Sequence, residues 1–189
     1  NFVDGDPHED WDMPLDYFVW AIVGGGRTFV VDTGFDGPMA EKRDRKITHT
    51  VDEGLAAVGI KHADVQDVIV THMHYDHCGN GALFPNARFH LQDTEMEYVT
   101  GRCMCHHQIN HAFEADDGSR MVQRVFLGSV QFHGGTDELA RWQGFDLRRV
   151  PAAGQSLIAD FRYVSPFNPT LYENSNRWAE LRETSIGSA

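Results

Sequence analysis

Val68-Ile69-Val70-Thr71-His72-Met73-His74-Tyr75-Asp76-His77-Cys78-Gly79-Asn80 is the stretch on which the reading of this chain turns. Its opening apolar run, Val68 to Val70, reads as a fully buried strand. It delivers three histidines and one aspartate within six residues, from His72 to His77. Side chains alternate along an extended segment, so His72 and His74 fall on one side, close enough to share one ion. Asp76 and His77 follow where the chain leaves the strand, and can turn toward a second point nearby. Imidazole nitrogens with a carboxylate oxygen suit zinc, and also manganese, iron or cobalt. Solvated loop histidines are the competing reading, and this alternation directly after a buried strand argues against it.

The elements around that stretch alternate between strand and helix. Tyr17 to Val23 is an aromatic and β-branched strand, Gly24-Gly25-Gly26 a turn, and Thr28 to Val31 the returning strand of a hairpin. Asp32 follows at a tight turn with Gly34, where a local Asx turn is its simplest role. Met39 to Lys46 is a charged run suited to an exposed loop or short helix. Thr50-x-x-Glu53 is a capping box, with Val51, Leu55 and Val58 at helical spacing and Gly59 as the stop. Strand, helix and strand in that order predict an α/β layer. Ala87 to Leu91 reads as a further strand carrying a packed His90. Asp93 reads as the cap of a helix whose Glu95 and Glu97 favour the positive end of its dipole.

Cys103-x-Cys105-His106-His107, with His111 close by, invites a zinc reading. Structural zinc sites use two separated ligand pairs, and no second cysteine pair follows, so a loop over the mouth of the site is the better reading. Val122, Val125 and Phe126 form a short amphipathic pattern, and Ser129 to His133 a strand. Residues 1 to 16 are acidic, are broken by Pro7 and Pro14, and read as a surface wrap.

The metal-loop pattern His72-x-His74-x-Asp76-His77 resembles the signature of the metallo-β-lactamase superfamily of metal-dependent hydrolases. Thr28 to Asp36 is similar to that superfamily's early strand and Asp-x-Gly turn, and the order and spacing of both motifs fit. Tyr75 within the motif, Cys78-Gly79-Asn80 after it and Gly101 to His106 are similar to the branch that opens N-acyl-homoserine lactones. The likeness covers about residues 15 to 150.

The resemblance implies an αββα sandwich, a mixed α/β fold, as a single domain over residues 1–189. It implies His72, His74, Asp76 and His77 as metal ligands. One or two divalent ions are expected, zinc first. It also implies Asp32 as a support of the metal loop, and Asp76 as a catalytic carboxylate that exchanges a proton with metal-activated water and the leaving alkoxide. The substrate would be a small lactone or ester, and opening a homoserine lactone would quench quorum sensing. A relative that binds metal with little turnover is the alternative. After Val150 the pattern departs: Pro151-Ala152-Ala153-Gly154-Gln155 stands where a Gly-His turn is expected. Asp160 comes too soon for the bridging carboxylate, and no histidine follows His133. The C-terminal half therefore reads as shortened or altered, with a short helix at Trp178 to Leu181 as its one further feature.

The chain has 189 residues, enough for one domain with a sizeable core. A net charge of −12 disfavours a nucleic-acid partner, because phosphate would be repelled. No apolar run is long enough for a membrane span, and no basic stretch precedes an apolar one as a secretory signal would require. Three cysteines, an odd number, argue against a disulfide framework and for a reducing, cytoplasmic setting.

Overall fold

A computed structural model of the protein describes residues 17–135, 139, 146–150 and 156–157. Strands β1 (Val19–Gly24) and β2 (Arg27–Val31) form the expected hairpin, with Trp20 opposite Val31 and Gly24 opposite Arg27. Gly25 and Gly26 carry the turn at φ 55° and 73°, a conformation open to a residue without Cβ. Strands β3 (Asp67–Ile69), β4 (Arg88–Gln92) and β5 (Val130–His133) then add in parallel, bringing Val30, Val68, Phe89 and Val130 into one row. On the far side β6 (Asp146–Val150) pairs antiparallel with β1, and β7 (Ser156–Leu157) with β6. The order in this mixed sheet is β5-β4-β3-β2-β1-β6-β7. A second sheet, which a complete sandwich requires, is not among the described residues.

Because side chains alternate, each face of the sheet has its own content. Val30, Val68, Phe89 and Leu91 belong to the larger core cluster. Helices α2 (Val51–Ala57), α4 (Asp93–Thr100) and α6 (Ala115–Phe126) join it through Leu55, Met96, Val99 and Met121. The opposite face carries Ile22, Phe29, Val31 and Ile69, with Trp20 and Leu139 packed against them. A line of polar side chains shares that second face. Arg27 meets Asp67 at 2.6 Å, Asp67 meets His90 at 3.0 Å, and His90 meets His133 at 3.0 Å. Buried polar groups are tolerable only when paired in this way. His90 is thus a packed strand histidine, as expected, and His133 is its partner.

Several boundaries differ from the sequence reading. The charged run forms α1 (Gly37–Lys42), with Pro38 in its first turn and Asp36 accepting the Met39 N–H. Helix α2 begins after Thr50, whose N–H donates to Glu53. Asp93 lies inside the first turn of α4, because Gln92 is already the extended cap residue. Helix α6 starts at Ala115, seven residues before the Val122–Phe126 pattern, and turns Met121 and Gly118 inward while Phe126 stays 88% exposed. Acidic residues at the start of α6 mask its inner face in the sequence. Residues 1–16, Asp160 and Trp178 to Leu181 lie outside the described residues. No helix among the described residues is long and apolar enough to cross a membrane.

Candidate metal centre

Strands β2 and β3 run parallel, so the residues that follow them emerge at the same edge of the sheet, where open α/β layers gather ligands. Asp32 follows β2 and Thr71 follows β3. The Asp32 N–H donates to the Ile69 carbonyl at 2.8 Å. In return, its carboxylate accepts the Thr71 N–H at 2.8 Å and the Thr71 hydroxyl at 2.9 Å. Asp32 holds φ at 62°, a left-handed conformation that aspartate tolerates better than most residues. The turn it opens is stitched to helix α3 (Tyr75–Cys78). Thr33 N–H donates to the His77 carbonyl at 2.7 Å, and Gly79 N–H to the Gly34 carbonyl at 2.9 Å. A Cβ on Gly79 would lie 2.9 Å from the Tyr75 carbonyl oxygen and 3.0 Å from that of Gly34, so only glycine allows this approach.

The metal-loop side chains converge above that turn. The His72 ring centre lies 4.4 Å from that of His74 and 3.8 Å from that of His77. His74 caps α3 and sets its ring edge-on to Phe113 at 4.6 Å. Asp76 and His77 come from the first turns of α3, with Asp76 Oδ2 3.1 Å from His77 Nε2. The other His77 nitrogen, Nδ1, lies 2.7 Å from Asp32 Oδ2. Asp32 therefore does more than close a turn, since it holds both Thr71 and His77. Tyr75 points into the protein: it is buried against Phe35, its hydroxyl meets that of Tyr17 at 3.3 Å, and the Arg43 guanidinium covers its ring. Packing is its role here.

Charge follows from these contacts. Burial, reinforced by the neighbouring His77 and His74, drives the His72 pKa down to about 3. His74 is likewise lowered, chiefly by burial. Burial also opposes a charge on His77, but the hydrogen bonds to Asp32 and Asp76 outweigh it and raise its pKa to about 9. Asp76 is lowered because the His77 hydrogen bond overcomes the cost of its own burial. One further buried carboxyl lies beneath the loop: Glu95 Oε1 accepts the Met73 N–H at 2.7 Å, and burial pushes its pKa up to about 7.

The sequence profile described as the Metallo-beta-lactamase superfamily matches residues 12–156. This chain belongs to the metallo-beta-lactamase superfamily. Among solved structures it is similar to an AiiA variant from B. thuringiensis with N-decanoyl-L-homoserine bound at the active site, with 18% identity and a TM-score of 0.50. That match covers 65% of this chain and 49% of the other. It is also similar to an N-acyl homoserine lactone hydrolase with N-hexanoyl-L-homoserine bound at the catalytic metal centre, at 17% identity and a TM-score of 0.49, covering 64% and 48%. A quorum-quenching N-acyl homoserine lactone lactonase matches at 20% identity and a TM-score of 0.47, covering 63% and 45%. Likeness at such identities speaks to fold alone. The chain spans about half the length of the solved structures it matches.

Within the superfamily chain, the donor types at this point suit a divalent transition metal: three imidazoles and a carboxylate. Burial lowers the pKa of both His72 and His74, which favours the neutral imidazole that a metal requires. Their placement here is nonetheless not a closed ligand set, and no group of three or more His, Cys, Asp or Glu side chains among the described residues is arranged to hold an ion. Both nitrogens of His77 are engaged by carboxylates. Cys103 and Cys105 lie on a 3₁₀ turn and His106 caps both it and helix α5 (His107–Asn110); Cys105 and His106 are exposed, and the three form no ligand group either. Cys78 is buried, and its Sγ approaches the His74 carbonyl at 3.3 Å. The sequence placed Glu95 in a first helical turn but not against the metal loop, because nothing local distinguishes it from any acidic residue at such a position.

Proposed function

We propose that this chain carries the metal-binding part of a hydrolase that opens a small lactone or related ester, with N-acyl-homoserine lactones as the substrate class. One observation carries the reading: His72, His74 and His77 are gathered with Asp76 at the carboxyl end of β3 by an anchoring carboxylate, Asp32. In this reading His72 and His74 would hold one ion, while Asp76 and His77 would contribute to a second, with zinc the first expectation. Held by these residues, a divalent ion would supply Lewis acidity toward a carbonyl oxygen and would acidify water. His72 and His74 bind as neutral imidazoles. Asp76 serves as proton acceptor for attacking water and as proton donor to the departing alkoxide. Asp32 orients the His77 ring through Nδ1, as partners behind metal ligands commonly do.

A second reading, a relative that binds metal with little or no turnover, has its own support. Among the described residues no group of three or more His, Cys, Asp or Glu side chains is arranged to hold an ion, and both nitrogens of His77 are engaged by carboxylates. Turnover separates the two. Opening of an acyl-homoserine lactone is followed by acid release, with and without zinc or manganese, in the protein and in Asp76→Asn. Metal-dependent opening that disappears in Asp76→Asn supports the hydrolase. Tightly held metal without opening supports the second reading, and opening indifferent to both metal and Asp76 places the chemistry elsewhere.

A further inference from the structure

The metal loop is held from below by two buried carboxyl groups, of which Asp32 is only one. Thr71 and Met73 alternate with His72 and His74 along the loop, so their N–H groups offer one anchor point before His72 and one between the two histidines. Asp32 takes the Thr71 N–H. Glu95 reaches from the first turn of α4 and takes the Met73 N–H at 2.7 Å. Glu95 is wholly buried, and its second oxygen, Oε2, has no hydrogen-bond partner among the described residues. A buried carboxyl with an unmatched oxygen is costly, and a helix position facing the core would ordinarily carry an apolar side chain. The bond it makes is to the peptide linking His72 and Met73. Rotation of that peptide would swing the His72 ring away from His74.

We propose that Glu95 is a positioning residue for the metal loop, fixing the peptide after His72 and thereby the relation of the His72 and His74 rings. The proposal rests on the reading of those histidines as metal ligands. Asp32 and Glu95 then divide the work. Asp32 sets the loop's entry at Thr71 and the His77 ring, while Glu95 sets its middle. Both strand-end geometry and helix α4 are thereby tied to the same four-residue segment, from Thr71 to His74.

The test compares the full chain with Glu95→Leu, Glu95→Asp and Glu95→Gln. Zinc affinity is measured by competition with a chromogenic chelator, the visible spectrum of the cobalt-loaded protein is recorded, and the melting of the metal-free protein is followed by circular dichroism. Glutamine keeps an acceptor at the same reach, so Glu95→Gln should retain zinc affinity and the cobalt spectrum. Leucine offers no acceptor and aspartate is one methylene short, so both should lose about 10- to 100-fold in zinc affinity and alter the cobalt bands. Folded Glu95→Asp showing that loss supports the proposal even if Glu95→Leu does not fold. If Glu95→Leu or Glu95→Asp merely melts lower while binding zinc with wild-type affinity and spectrum, Glu95 is a packing residue and the proposal falls alone. If the unaltered protein binds no zinc, the ligand reading falls first and takes this one with it.

Discussion

Substitution of Asp32 separates backbone strain from hydrogen bonding at the base of the metal loop. Its carboxylate accepts from Thr71 N–H, the Thr71 hydroxyl and His77 Nδ1, at 2.7 to 2.9 Å, and only 5% of the residue is exposed. Asp32→Asn keeps an acceptor and tolerates φ 62°, but exchanges charged hydrogen bonds for neutral ones, a loss of about 1–2 kcal/mol. Asp32→Ala removes every acceptor and leaves buried donors unmatched, a loss of about 3–5 kcal/mol. Alanine at positive φ adds about 1 kcal/mol of that. Asp32→Gly lifts the strain but not the lost bonds, so it should fall between the other two. At roughly 2–4 °C per kcal/mol for a chain of this size, Asp32→Asn should melt a few degrees lower and Asp32→Ala about 6–20 °C lower. Melting is measured by circular dichroism in chelator, so that bound metal does not contribute. If Asp32→Gly melts at or above wild type, φ strain dominates and the hydrogen-bond account of this turn is wrong.

Other perturbations probe separate links. Gly79→Ala places a Cβ against two carbonyl oxygens and should destabilise by about 1–3 kcal/mol, read as a shift in urea midpoint. Gly118→Ala, whose Cβ would meet only Val99 at 3.6 Å inside α6, should leave the midpoint unchanged or raise it. Burial holds the His90 pKa below its ordinary 6.5 against the pull of Asp67. The unfolded chain therefore takes up that proton first, so this contribution to stability is complete above about pH 6.5 and drains as pH falls. A His90→Gln variant should show a flatter fall in urea midpoint over that acid range. An equal slope in both proteins removes His90 from the account. Burial raises the Cys78 thiol well above its ordinary range, whereas Cys105 is exposed. Iodoacetamide on the native protein should mark Cys105 and spare Cys78 until urea is added, as peptide mass spectrometry would report.

Local sequence sufficed where local physics decides the outcome. The Gly24-Gly25-Gly26 turn between two β-branched runs gave the hairpin, and Thr50 with Glu53 gave the start of α2. The run Val68 to Val70 followed by alternating histidines placed the site at a strand end, and the structure brings His72, His74 and His77 together there. What stayed hidden depends on partners far apart in the chain. Nothing near Glu95 announces that its carboxyl turns inward to the Met73 N–H, 22 residues away. Asp32 could equally have closed its own turn until Thr71 and His77 were seen on its oxygens. Tyr75 sits among metal-loop residues, yet Arg43 and Phe35 draw it inside. The turn of the chain into α3 at His74 also has no sequence signal, because it depends on Tyr75 N–H reaching the Ala112 carbonyl at 2.9 Å.

Metal content bears most directly on the proposed role of the clustered His72, His74, Asp76 and His77 side chains as ligands of a divalent ion. Elemental analysis of the purified protein, beside a His72→Ala, His74→Ala double variant confirmed as folded, tests it. At least one equivalent of zinc or a related divalent ion in the protein, released by chelator and largely absent from the double variant, is the expected result. Full retention of metal by the folded double variant would contradict the claim.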